Sequence, residues 1–231
     1  MEHAIVEERV RIGSGRLTLS GILSYPDAAA PLCGVLLCAP HPNFAGNMEN
    51  NVIEALARHL APRAVALRFN YRGVGDSEIH LPPSVSAYDY WSEAEETRNY
   101  ADAIGDVRAA AQTLSRAAGS LPLIVVGYSF GAIVGLQYGA SDSNVLAMAA
   151  IAPPLTRYDF DFLSNCTKAC LLISGSDDFV FSAETSASLH AACGSNVRQE
   201  LLNGKDHFFR GDERTVCEKI GAFVRDAIRS S

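Results

Sequence analysis

The chain of 231 residues has no block of lysine or arginine and carries a net charge of −7. A surface of that sign does not attract nucleic acid or an anionic membrane, so partners of both kinds are excluded from the expectations. No apolar run is long enough to span a bilayer. Met1 to Arg11 carries Glu2, Glu7, Glu8 and Arg9 and lacks the apolar core of a leader segment, so a cytosolic protein is expected. The six cysteines (Cys33, Cys38, Cys166, Cys170, Cys193 and Cys217) include no CxxC pair and no His/Cys set at zinc spacing. They are expected to be mostly free thiols behaving as small buried hydrophobes. Gly73-Val74-Gly75 meets Glu78 where a dinucleotide fingerprint needs a third glycine, and Gly13-Ser14-Gly15 meets Thr18. No Walker A sequence and no HExxH occurs, which disfavours a nucleotide or zinc enzyme.

Alternation is what the chain does have. Hydrophobic residues make up 48% and charged residues 19%, enough to build a core at this length. One domain over residues 1–231 is expected. Ile5 to Ile12 and Leu17 to Tyr25 flank a Gly-rich turn and predict an antiparallel hairpin. Short continuous apolar runs then alternate with segments of helical spacing. The runs are Gly34 to Ala39, Ala64 to Phe69, Leu121 to Val126, Val145 to Ile151, Ala169 to Ile173 and Val197 to Leu202. Helices are predicted over Asn50 to Leu60, from near Glu93 to Ala118, and over Phe130 to Tyr138, Ala183 to Ala192 and Arg214 to Ile228. The pattern predicts an α/β protein: a mostly parallel, twisted sheet of about eight strands with an antiparallel N-terminal hairpin and helices on both faces. Two aromatic- and proline-bearing stretches interrupt it, residues 79–96 and 153–165. They are expected to be either short lid segments or surface loops pinned by their aromatics.

Gly127-Tyr128-Ser129-Phe130-Gly131 follows one apolar strand and precedes the apolar helix Ala132-Ile133-Val134. G-x-S-x-G at a strand-to-helix turn lifts a serine hydroxyl above the sheet, with a helix N-terminus behind it. The competing reading is a Gly-rich turn with an idle serine. A serine needs a base, and the base needs an orienting acid. Ser174-Gly175-Ser176-Asp177-Asp178 ends a later strand, and Gly204-Lys205-Asp206-His207 follows the last one. These place Asp178, with Asp177 as its rival, and His207 on the same rim as Ser129. Expected oxyanion donors are the amides of Phe130 and Asn43, with Phe44 next, because Pro42 has no N–H. His41 is expected mainly to brace its loop. The other candidates for substrate contact are Phe44, Tyr128, Trp91, Tyr158 and Phe179. Arg72 and Asp76, beyond the fourth strand, are read as a turn-bracing ion pair or cap rather than as substrate contacts.

At these residues the chain resembles the α/β-hydrolase family, over a span from about Gly21 to the C-terminal helix. It looks closest to small, minimal-lid bacterial serine hydrolases with a His-Pro oxyanion loop. The likeness rests on His41 to Met48, on Arg68-Phe69-Asn70-Tyr71-Arg72-Gly73-Val74-Gly75-Asp76-Ser77, on the elbow and on Asp206-His207-Phe208-Phe209. The resemblance implies Ser129 as nucleophile, Asp178 as acid and His207 as base. The 79–91 stretch is longer and more aromatic than that pattern and points to a selective acyl or aromatic substrate. The expected activity is hydrolysis of a small-molecule ester or thioester through an acyl-enzyme, needing no cofactor and no metal. Acyl transfer or C–C cleavage on the same fold, and a non-catalytic binding protein, are the alternatives. The segment around Trp91 is expected either to cover the site or to pack a homodimer.

Overall fold

The structure is a computed structural model and describes residues 4–230. Its centre is one eight-stranded sheet, β1 (Ile5–Ser14), β2 (Leu17–Pro26), β3 (Cys33–Cys38), β4 (Ala64–Phe69), β5 (Leu123–Tyr128), β6 (Val145–Ile151), β7 (Ala169–Gly175) and β8 (Val197–Leu202). The spatial order is β1-β2-β4-β3-β5-β6-β7-β8. The hairpin pairs antiparallel, β2 meets β4 antiparallel, and every later pairing is parallel. Strands β3, β4 and β5 are buried at every residue. That burial is why they read as continuous apolar runs and not as alternating ones.

Helices cover both faces. α1 (Asn51–Leu60) and α6 (Glu213–Arg229) pack together on one side, and α3 (Ala101–Ala118) and α4 (Phe130–Ser141) on the other. α1 and α6 are amphipathic, burying Val52, Ile53, Leu56 and Leu60 on the first and Val216, Ile220, Phe223 and Val224 on the second. α4 is apolar around most of its circumference, because it is enclosed between β5, β6 and α3. α5 (Ala183–Ala192) lies beside β8 at the sheet's far edge.

The helix expected from near Glu93 to Ala118 is two helices. α2 (Ala87–Thr97) opens on a reciprocal Ser86–Asp89 capping box, and it ends at Arg98, whose φ is 55°. Apolar spacing cannot register such a break, since one residue in the left-handed region turns the chain without changing composition. Within residues 79–96 the chain is irregular over 79–86 and helical from Ala87 on. Arg72 does brace, but through other partners than the expected Asp76. It forks onto the fully buried Asp106, which also accepts from Ser14 Oγ, while Asp76 reaches only Arg9 at 3.9 Å on the surface.

Along this sheet order the chain reverses direction of travel between β3 and β5, so the loops leaving their carboxyl ends diverge and open a crevice. The His41 loop follows β3 and Ser129 follows β5. Among the described residues, no helix is long and apolar enough to cross a membrane.

All six cysteines are free, five of them buried and Cys166 partly exposed. Burial pushes the Cys33 thiol up to about 11 and the Cys217 thiol up to about 12. Iodoacetamide at pH 8 should therefore label native protein at Cys166 alone within the time that labels all six in denaturant, read by peptide mass mapping.

Candidate active site

Backbone crowding sets the position of Ser129. A Cβ on Gly131 would stand 2.1 Å from the Cys38 carbonyl oxygen, and one on Gly127 would stand 2.1 Å from the Gly131 carbonyl. Three backbones thus meet where only glycine fits, and the turn between β5 and α4 closes tightly. Ser129 takes up the curvature with φ 55° and ψ −118°, a conformation that costs a non-glycine residue about 1–3 kcal/mol. Its N–H donates to the Ile151 carbonyl at 2.9 Å, which ties the turn to β6.

The Ser129 hydroxyl lies 3.0 Å from His207 Nε2, and His207 Nδ1 lies 2.9 Å from Asp178 Oδ2. These three residues come from the ends of β5, β7 and β8. Asp178 is buried, and its other oxygen accepts from the Val180 N–H at 2.9 Å. Asp177, the rival acid, is exposed and accepts from Ser176 Oγ. The His207 loop is fixed by its backbone. Tyr128 Oη donates to the His207 carbonyl at 2.8 Å, and Asp206 Oδ1 accepts from the N–H groups of Phe208 and Phe209.

A cavity of about 190 Å³ opens at Ser129. His41, Phe44, Tyr128, Phe130, Tyr158, Phe179 and His207 line it. Trp91 does not. It is 2% exposed, donates from Nε1 to the Arg72 carbonyl, and stands edge-on behind His41 and Phe130 at 5.8 and 6.0 Å. It supports the wall of the cavity from behind. Asn43 is also absent from the lining. Its N–H donates to His41 Nδ1 at 3.1 Å, and its side chain donates to Ser92 Oγ and the Tyr88 carbonyl on α2. The free Asn43 amide expected from the sequence is therefore engaged within its own loop, and the Phe44 N–H donates to the His41 carbonyl at 3.0 Å. Asn50, Pro40, Pro154, Arg157, Val180 and Phe208 line the cavity without having been singled out. Phe208 and Val180 directly neighbour His207 and Phe179, and that adjacency was the available signal.

Behind the cavity, Glu95 joins elements that are distant in the chain. Its Oε2 accepts from Tyr158 Oη at 2.7 Å and from Tyr100 Oη at 3.0 Å, and lies 4.0 Å from His41 Nε2. Because His41 Nδ1 accepts from Asn43, the ring is the neutral tautomer protonated at Nε2.

Burial pulls the His41 imidazole below its ordinary value, with Glu95 pulling the other way. As pH falls below about 6.5 the unfolded chain takes up a proton that this folded ring resists, so stability is lost through that window. The fall in Tm between pH 7 and pH 5 should accordingly be smaller in His41→Gln than in the unsubstituted protein. Gly131→Ala should lower stability by about 2 kcal/mol or more in urea unfolding. Gly105→Ala, on α3 with nothing within 4 Å of the added carbon, should raise it by about 0.5–1 kcal/mol.

The geometry can be set beside known proteins. A protein of Rickettsia prowazekii (strain Madrid E), RP471, is 27% identical over 214 residues, covering 87% of this chain and 82% of the relative. The fold matches an alpha-beta serine hydrolase homologue from Coxiella burnetii with a TM-score of 0.77 at 23% identity, over 96% of each chain. It also matches an α/β serine hydrolase without a lid from Xanthomonas campestris, with a TM-score of 0.77 at 23% identity over 95% of this chain and 94% of that one. The model of the alpha/beta hydrolase family matches residues 22–222. An eight-stranded sheet with this strand order, the glycine-walled elbow after β5 and a match over that span lead to one conclusion: the chain belongs to the alpha/beta hydrolase family.

Proposed function

We propose that the protein is a serine hydrolase that cleaves an ester or thioester through an acyl-enzyme. The observation that carries this reading is the unbroken line from Asp178 Oδ2 to His207 Nδ1 and from His207 Nε2 to Ser129 Oγ, at 2.9 and 3.0 Å. Ser129 Oγ attacks the substrate carbonyl carbon while its proton passes to His207 Nε2. The buried Asp178 carboxylate accepts from Nδ1–H, which fixes the tautomer and stabilises the imidazolium. When the tetrahedral adduct collapses, the bond to the leaving oxygen or sulfur breaks and His207 returns the proton to it. A water molecule then attacks the acyl carbon, giving its proton to His207; as the acyl–Oγ bond breaks, His207 returns that proton to Ser129 Oγ and the acid departs.

The oxyanion falls at the N-terminus of α4, where the Phe130 N–H stands at the first helical position. An N–H there has no carbonyl of a preceding helical turn to bond, and the helix end favours negative charge. Asn43 is the proposed second donor. Its N–H must share or leave the bond to His41 Nδ1 as negative charge develops, since an oxyanion is the stronger acceptor. A cavity of about 190 Å³ suits one short acyl or single-ring group, because an engineered cavity of about 150 Å³ admits benzene.

A fluorophosphonate should label Ser129, and Ser129→Ala should lower kcat/KM for short aryl esters at least about 10⁴-fold with Tm unchanged within a few degrees. Asp178→Asn should lower it about 10⁴-fold, while Asp177→Asn leaves it within about threefold. Full turnover in Ser129→Ala, or equal losses in the two aspartate variants, would exclude the proposal.

A further inference from the structure

Phenylalanine rings at the cavity mouth carry a feature that the hydrolytic reading leaves unused. Phe179 is 65% exposed and Phe208 is 47% exposed, yet each lies against the His207 imidazole, with centroids 4.9 and 5.5 Å away. The two rings are 6.2 Å from each other. Arg210 places its guanidinium 5.5 Å from the Phe208 ring centre and so backs that ring. Scattered exposed apolar residues need no explanation, but a pair converging on one imidazole does.

Geometry assigns the space in front of these rings. On the proposed mechanism, which this inference rests on, His207 Nε2 must deliver a proton to the leaving oxygen. That oxygen must come within hydrogen-bond reach of Nε2, about 2.6–3.2 Å. Whatever is bonded to it then lies beside the imidazole, where Phe179 and Phe208 stand. The cavity of about 190 Å³ is open on the side where Phe179 and Phe208 line it, and its volume admits about one benzene-sized group. The acyl group takes the inner side, walled by Phe130, Pro154 and Tyr158, and the alcohol part extends over the two exposed rings at the mouth of the same cavity.

We infer that Phe179 and Phe208 form the subsite for the leaving alcohol. The substrate class is then an ester of a short or single-ring acid with an apolar, ring-bearing or bulky alkyl alcohol. In the acylation step the Ser129 Oγ–acyl bond forms and the acyl–alkoxy bond breaks. The serine proton leaves through His207 to the alkoxide oxygen, so a neutral alcohol departs from between the rings. Covering the rings removes apolar surface from water, which favours a ring-bearing alcohol over a two-carbon one by about tenfold or more in kcat/KM.

The test compares ethyl acetate with 2-phenylethyl acetate, which share the acid and have alcohols of similar acidity. The native protein should favour 2-phenylethyl acetate at least about tenfold in kcat/KM. Phe179→Ala and Phe208→Ala should each reduce that ratio about threefold or more, and the double variant further. Both side chains are exposed, and fluorophosphonate labelling of Ser129 reports that each variant keeps its site. A native ratio near one overturns the inference, as does a ratio that neither substitution moves. A chain that runs as a dimer and becomes a monomer on Phe208→Ala, with the ratio unchanged, also overturns it, because the rings then serve a second copy. No labelling and no turnover of either ester would instead bring down the acyl-enzyme reading beneath it.

Discussion

Contact between three stretches of backbone, Cys38 at the end of β3, Gly127 at the end of β5 and Gly131 in the first turn of α4, underlies the whole site. No side chain fits between them, and a single added carbon at Gly131 would stand 2.1 Å from the Cys38 carbonyl oxygen. Because α4 begins that close to the sheet, the connecting residue must bend through the left-handed region, and Ser129 does so with φ 55°. Its hydroxyl is then held above the sheet edge, and the helix N-terminus is held beneath the space next to it. The strain is tolerated because β5, β6 and α4 are buried and tightly packed on all sides, so relaxing the turn would mean separating the core.

Polar groups hold the neighbouring loops as firmly as the glycines hold the elbow. Asn70 accepts from the Met48 N–H at 2.8 Å, and Arg68 donates to the Met48 carbonyl at 3.1 Å. The His41 loop is thereby tied to the end of β4. Arg72 and Asp106 tie the next turn to α3, and Glu95 collects Tyr100 and Tyr158 from segments far apart in sequence. The Arg68 to Ser77 segment thus earns its place in the resemblance through scaffolding. Ser77 Oγ donates to the Asn70 carbonyl, and none of these residues lines the cavity. The cavity itself is left mainly to aromatic and aliphatic walls, with Ser129 and His207 at one side.

Some expectations from the sequence met a different arrangement, each for a local reason. Trp91 was a candidate for substrate contact because it is aromatic and sits in an interrupting segment. The capping box at Ser86 turns that segment into α2, and the helix carries Trp91 inward to within 5.9 Å of Tyr71. Eliminating Pro42, which has no N–H, leaves Asn43 as the expected donor. That elimination cannot show that His41 Nδ1, two residues back, already accepts the amide proton. Which residues of the 153–165 stretch face the cavity, Pro154 and Arg157 among them, is not legible either, because no periodicity marks the loop residues that converge from different strands.

The strands, the helices other than the division between α2 and α3, the elbow and the order in which Ser129, Asp178 and His207 occur were legible in the chain. Each depends on interactions among near neighbours: apolar runs that must be covered, glycines at fixed offsets around a tight turn, and acids or a histidine placed just after a strand. Tertiary structure alone decided that Asp178 and not Asp177 meets His207, that Trp91 faces inward, and that Phe179 and Phe208 flank one imidazole in the open. Those outcomes depend on where the ends of β7 and β8 lie relative to each other and to β5. That position is set by the packing of whole helices against a twisted sheet, over distances that no local pattern encodes.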